Sequence, residues 1–288
     1  MLASALSFTG MTVLIKFLGA DYPPALQTFY RQAAGFAVLL PVILRLRGQA
    51  FATTRPGILL FRSAAGTVAL MLSFYAYQEL PLADANALSF TRTLWLVPLA
   101  AIVVREQVGP LRIGAAVVGF LGVLLMARPG AGGEFALGLP ALAMLLASFL
   151  FALTITGMKV MTRDHSPTVL LVWAMTLGLI FSIPGGVLTW RVPAPVDFAL
   201  LCAMGVLGTI TQACYIKGMQ VGDAAAMAPI DYTRLVFAAA AGFLLFHEVP
   251  TVWTLAGAAV VVGSTLFITW REQQLARSAK LSAEAERE

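Results

Sequence analysis

FTGMTVLIK runs from Phe8 to Lys16, and FALTITGMK runs from Phe151 to Lys159. Each is an apolar run that closes on a lysine eight residues after a phenylalanine, and the two lie 143 residues apart. The spacing recurs elsewhere in the chain. Thr91-Arg92 returns as Thr233-Arg234 at an offset of 142, and Glu106 and Glu248 each follow their arginine by 14 residues. Tyr75 pairs with Tyr215, and Asp84 with Asp223, at about 140. A chain that repeats itself at half its length is two copies of one unit.

The composition says what the unit is. Of 288 residues 59% are hydrophobic and only 11% charged, with a mean hydropathy of +0.86. Soluble domains carry roughly a quarter charged residues, so 33 charged side chains cannot clothe a soluble surface of this size. A soluble enzyme and a nucleic-acid-binding domain are both excluded. The pI of about 9.5 does not restore the second, because the basic residues are spread over loops and a tail.

A spanning helix needs about 20 apolar residues. Hydropathy and breakers predict ten, over residues 2–18, 25–44, 57–77, 84–104, 110–127, 137–158, 168–189, 196–218, 224–246 and 252–270. Continuous apolar runs, rather than weak alternation, argue against a β-barrel. Five spans per copy is an odd number, so the second copy must run opposite to the first. The expected fold is therefore all-α: ten transmembrane helices as two inverted five-helix repeats, residues 1–130 and 131–270, then a polar helical tail over 271–288. The N-terminal run has no basic n-region or cleavage site and reads as a retained first helix.

Lys and Arg set the orientation. With the N-terminus in the cytoplasm, thirteen fall inside and three (Lys16, Arg128 and Arg191) outside, while Arg31, Arg92 and Arg234 lie within spans. Basic loops resist translocation, so both termini are expected in the cytoplasm.

Inverted repeats suit alternation of one central site between two faces, which points to a carrier, although channels are also built this way. No P-loop is present, so ATP-driven transport by this chain alone is not expected. No cofactor and no metal site is predicted. His165 and His247 lie in separate loops, and Cys202 and Cys214 have no ligand or disulfide spacing.

The buried charges carry the chemistry. Arg92 has no acidic neighbour within four residues. Its guanidinium fork suits a substrate carboxylate, or else a carboxylate on another helix. Arg234 follows Asp231 by three residues. That pair either neutralises itself on one helical face or lets Asp231 couple transport to protons. Arg31 is expected to reach an outer loop or lipid phosphate, and Lys16 and Lys159 to anchor at the interface. Trp95, one turn after Arg92, is expected to form an aromatic wall beside it. Tyr75, Tyr77, Gln212, Tyr215 and Tyr232 complete the candidate substrate-binding set. Ala115-x3-Gly119 and Ala259-x3-Gly263 are repeat-related small-residue faces, through which the two helices pack together or dimerise.

Arg62-Ser-Ala-Ala-Gly66, Phe74-Tyr-Ala76, Leu80-Pro-Leu-Ala-Asp-Ala85, Arg105-Glu106, Gly119-Phe-Leu-Gly122 and Arg128-Pro-Gly130 together resemble the EamA domain of the drug/metabolite transporter superfamily. Gly222-Asp-Ala-Ala-Ala226 and His247-Glu248 make a looser second copy. The resemblance implies a ten-helix secondary carrier with a central cavity in a bacterial-type inner membrane. Similar proteins export amino acids, aromatic ones in YddG-like members, and some relatives import riboflavin or S-adenosylmethionine. Pro98 lies on the family pattern, whereas Arg92 and Trp95 depart from it. The function expected is export of small organic metabolites, amino acids foremost, by alternating access. The alternatives are uptake of a vitamin or nucleoside-like metabolite, or a passive channel. The partners are a small-molecule substrate and membrane lipid, with no nucleic acid, and the chain is a monomer or homodimer.

Overall fold

Proline placement explains where many helices begin. Five open on a proline, whose fixed φ and missing N–H suit the first turn: α2 (Pro24–Leu46), α3 (Pro56–Glu79), α6 (Pro110–Ala127), α8 (Pro167–Leu188) and α9 (Pro195–Val221). The others are α1 (Leu2–Phe17), α4 (Leu82–Ser89), α5 (Thr91–Ile102), α7 (Leu139–Met161), α10 (Thr233–Phe246) and α11 (Val252–Ala285). This computed structural model describes residues 2–46, 51, 53, 55–102, 108–127, 138–161, 167–221 and 232–285. Among them there is no β-strand. Seven helices are long and apolar enough to cross a membrane, and Pro110–Met126 and Thr233–Phe246 are shorter apolar helices.

The run expected as one fourth helix, 84–104, is instead two segments that meet at Phe90. Local hydrogen bonds explain the break. Phe90 N–H donates to Ala87 O at 3.2 Å, tightening the turn, while the Ser89 and Thr91 hydroxyls donate to Asn86 O and Leu88 O, each at 2.7 Å. Phe90 and Tyr232, the residues just before α5 and α10, adopt nearly the same backbone conformation, φ −70°, ψ −16° and φ −71°, ψ −14°. At the other end of the chain α11 continues to Ala285, so the tail is helical beyond the apolar part.

The packing has an exchange pattern. Let α1, α2, α3, α5 and α6 correspond to α7, α8, α9, α10 and α11. The contact of α1 with α9 then maps onto that of α7 with α3, α2 with α9 onto α8 with α3, and α1 with α10 onto α7 with α5. The pairs α2–α8 and α6–α11 map onto themselves. Every one of these contacts joins the first half of the chain to the second.

The interior is polar where a soluble core would be dry. Gln27, Gln32, Asn86, Asp84 and Arg234 are buried, while Leu121, Leu188, Phe243 and Leu244 are exposed. That inversion suits lipid as the surrounding solvent. Glycines bring α6 and α11 together. A Cβ on Gly257 would stand 2.5 Å from Gly122 O and 2.3 Å from Met126 Cγ. The close approach is thus at Gly122 and Gly257. Of the small residues singled out by spacing, Gly119 packs on Leu94 of α5, and Gly263 faces open space.

Candidate functional site

The break at Phe90 and the start of α10 meet at the junction of the two halves. The Phe90 and Tyr232 rings lie 4.7 Å apart, centre to centre. The buried guanidinium of Arg234 sits 4.5 Å from the Phe8 ring of α1 and 5.3 Å from the Phe90 ring. Phe8 in turn meets the edge of Tyr77 of α3 at 6.1 Å. The Tyr77 hydroxyl is buried beside Ser89, within electrostatic reach of both Arg234 and Arg92. Tyr232 donates its hydroxyl to Thr265 of α11. The result is a cage of aromatic faces that holds Arg234 of the second half beside the Tyr77 phenol, with Arg92 of the first half within electrostatic reach of that phenol. A planar cation stacked on aromatic faces gains roughly 0.5–2 kcal/mol per face, more when desolvated.

Four candidate residues therefore share this place: Arg92, Tyr77, Tyr232 and Arg234. Arg92 is half-buried and forms no ion pair among the described residues. Trp95 packs between Phe120 of α6 and Phe149 of α7 at 4.7 and 5.3 Å, and its buried indole N–H has no hydrogen-bond partner among the described residues. The aromatic walls of the cage are Phe8 and Phe90 instead. Tyr75 lines an apolar groove of about 400 Å³ with Leu72 of α3 and Leu139, Leu142 and Leu146 of α7, away from the cage. Gln212 is half-buried on α9 and makes no hydrogen bond to the cage. The side chain of Tyr215, and all of Asp231, lie outside the described residues.

Two basic residues differ from expectation. Arg31 turns into the bundle rather than toward lipid. Its Nη1 donates to Gln32 Oε1 at 2.9 Å, and its guanidinium lies over Gly208, where a Cβ would come within 3.0 Å of Nε. Lys16 is no simple interfacial anchor. It forms an ion pair with Glu248 and donates to Leu80 O at 2.7 Å, and Glu248 accepts from Leu82 N–H at 2.8 Å. His247 makes this possible. It ends α10 in the left-handed region, φ 56°, so that Glu248 N–H closes back on Gly242 O at 3.0 Å.

Sequence reasoning treated Phe8 and Glu248 only as markers of the repeat. The one signal the sequence held for them was their place in pairs matching at 142–143, which does not say what either residue touches.

The chain was compared with known proteins. The EamA-like transporter family profile matches residues 1–128 and 138–270. An S-adenosylmethionine uptake transporter of Rickettsia prowazekii is 28% identical over 263 residues, covering 91% of this chain and 88% of its own length. A pseudopaline exporter of Pseudomonas aeruginosa is 26% identical over 263 residues, with 90% of each chain covered. A riboflavin transporter of Rhizobium johnstonii is 26% identical over 282 residues, covering 96% of this chain and 92% of its own. A solved crystal structure, 18% identical, superposes with a TM-score of 0.62 over 95% of this chain and 98% of the other, and so shares the fold. On the two matches that together span nearly its whole length, this chain belongs to the EamA-like transporter family.

Proposed function

We propose that this protein is a secondary carrier of small metabolites with an amino-acid head group, working by alternating access in a bacterial-type inner membrane. The observation that carries the reading is the cage. Arg92 offers a charge-assisted fork to a carboxylate, and Phe8 and Phe90, already stacked on Arg234, wall the place with aromatic rings beside the buried Tyr77 hydroxyl. Free amino acids, aromatic ones included, meet this description, and their export is the direction we favour. Uptake of a compound such as S-adenosylmethionine is the second reading. It is favoured by the uptake transporters at 28% identity, since that molecule joins an amino-acid head to a planar base. Riboflavin lacks a carboxylate and fits the fork less well.

The architecture we propose is ten spans in two inverted five-helix repeats, with α4 and α5 sharing the fourth span. Exchange-symmetric packing and the matched backbone at Phe90 and Tyr232 support it. Both termini are placed in the cytoplasm, on the distribution of Lys and Arg. Cysteines at positions 47 and 163 should resist impermeant maleimide added outside intact cells, and labelling of either would reverse the orientation. The functional test is counterflow in proteoliposomes with labelled amino acids, S-adenosylmethionine and riboflavin. Trans-stimulation by amino-acid-headed compounds is expected. Non-saturating flux without counterflow would identify a passive channel instead.

A further inference from the structure

Beneath the Lys16–Glu248 pair lies a second carboxylate. Asp84, in the first turn of α4, is 6% exposed, stands beside Thr254 of α11, and lies within electrostatic reach of both Lys16 and Glu248. Its Oδ1 is buried with no hydrogen-bond partner. The cluster therefore holds two carboxylates and one cation, and that cation is already committed. Lys16 is bound to Glu248, to the Leu80 carbonyl and, 5.5 Å away, to the Phe246 ring. The other ionisable groups described at this end supply no second cation. Tyr22 donates to Asp197 at 2.8 Å, Arg191 is turned to Asp21 O at 3.0 Å, and Glu79 and His247 are exposed.

Position makes the cluster mechanical. Lys16 ends α1, Leu80 and Leu82 flank the α3–α4 turn, and Glu248 and Thr254 belong to the α10–α11 turn and the start of α11. Lys16–Glu248, Leu82–Glu248, Tyr22–Asp197 and Arg191–Asp21 all join the first half to the second. This end of the bundle is clasped shut.

We propose that Asp84 is the proton-binding site of the transport cycle, and that the Lys16–Glu248 clasp closes over it only when it carries a proton. The inference rests on the carrier reading above and names its coupling ion. With a proton on Asp84 the cluster is neutral: one cation, one carboxylate and one buried carboxylic acid. When that proton leaves to water, a second negative charge remains in a site where the described residues supply no further cation, which is strongly unfavourable while buried. Opening this end hydrates Asp84 and relieves the charge. The proton is taken from water on the open face and returned to water, with no other bond made or broken.

The test needs no substrate, so its failure is distinct from an error about the cargo. Thr12, one turn before Lys16 and fully buried, becomes the reporter as Thr12→Cys in a Cys202→Ala, Cys214→Ala background. Maleimide labelling of the protein in proteoliposomes should accelerate about tenfold from about pH 5.5 to about pH 8.5, corrected for thiolate fraction with a free-cysteine standard. Asp84→Asn, permanently neutral, should label slowly across the whole range. Asp84→Glu should keep the pH dependence, which shows that the site tolerates substitution. Lys16→Met leaves both carboxylates without a cation and should move the transition to lower pH. A pH response that survives Asp84→Asn, or a flat response in the reporter background, overturns the proposal.

Discussion

Replacing Gly257 with alanine tests how the two halves are held together. A Cβ there would lie 2.5 Å from the Gly122 carbonyl oxygen and 2.3 Å from Met126 Cγ. The methionine can move, but the carbonyl belongs to helical backbone and cannot turn away without losing its own hydrogen bond. A carbon and an oxygen in ordinary contact stand roughly 3.2–3.5 Å apart, so α6 and α11 must separate by about 0.7–1 Å. Overpacking of this kind costs about 1–3 kcal/mol. Alanine also gains roughly 0.5–1 kcal/mol over glycine in a helix, which offsets a part. Gly263, six residues further along α11, is the internal control, because nothing lies within 4 Å of its Cβ position. Gly257→Ala should lower the apparent Tm in detergent by a few degrees, at about 2–4 °C per kcal/mol for a chain of this size. Gly263→Ala should leave it unchanged or slightly raised. Equal effects at the two positions would refute the argument, since helix propensity alone cannot distinguish them.

Arg92→Lys keeps the charge but loses the fork, and should weaken carboxylate substrates about ten- to a hundredfold relative to their amides, from a charge-assisted bond of ~1.5–3 kcal/mol; equal losses in folded protein would remove Arg92 from the binding site. Trp95→Ala should act on stability, by about 1–3 kcal/mol, because the half-buried ring packs between Phe120 and Phe149. A selective loss of aromatic substrates without a fall in Tm would instead restore the ring to the binding wall. The Tyr22 phenol, outside the spans, is held above its ordinary value of 10.0 by its hydrogen bond to the Asp197 carboxylate. Its raised folded-state value means the stabilisation is complete below pH 10 and lost as pH rises through that value. Stability curves of Tyr22→Phe and wild type should therefore converge above pH 10, and a constant gap would contradict the bond.

The amino-acid sequence by itself determined that this chain belongs in a membrane, that it is helical, and that its two halves correspond. Those properties are written in composition, run length and a fixed offset, which depend only on the order of residues. It also marked Arg92, Tyr77, Tyr232 and Arg234, because charge and aromatic groups inside apolar runs are conspicuous wherever they end up. Tertiary structure decided the rest. Whether Trp95 faces Arg92 or Phe120 depends on which helices flank α5, and one helix carries no record of its neighbours. The break at Phe90 arises from Ser89 and Thr91 bonding back to the main chain, a competition that hydropathy does not register. Lys16 and Glu248 are 232 residues apart, and only the packing of α1 beside α10 lets them pair, with Asp84 buried close by and no further cation for it among the described residues.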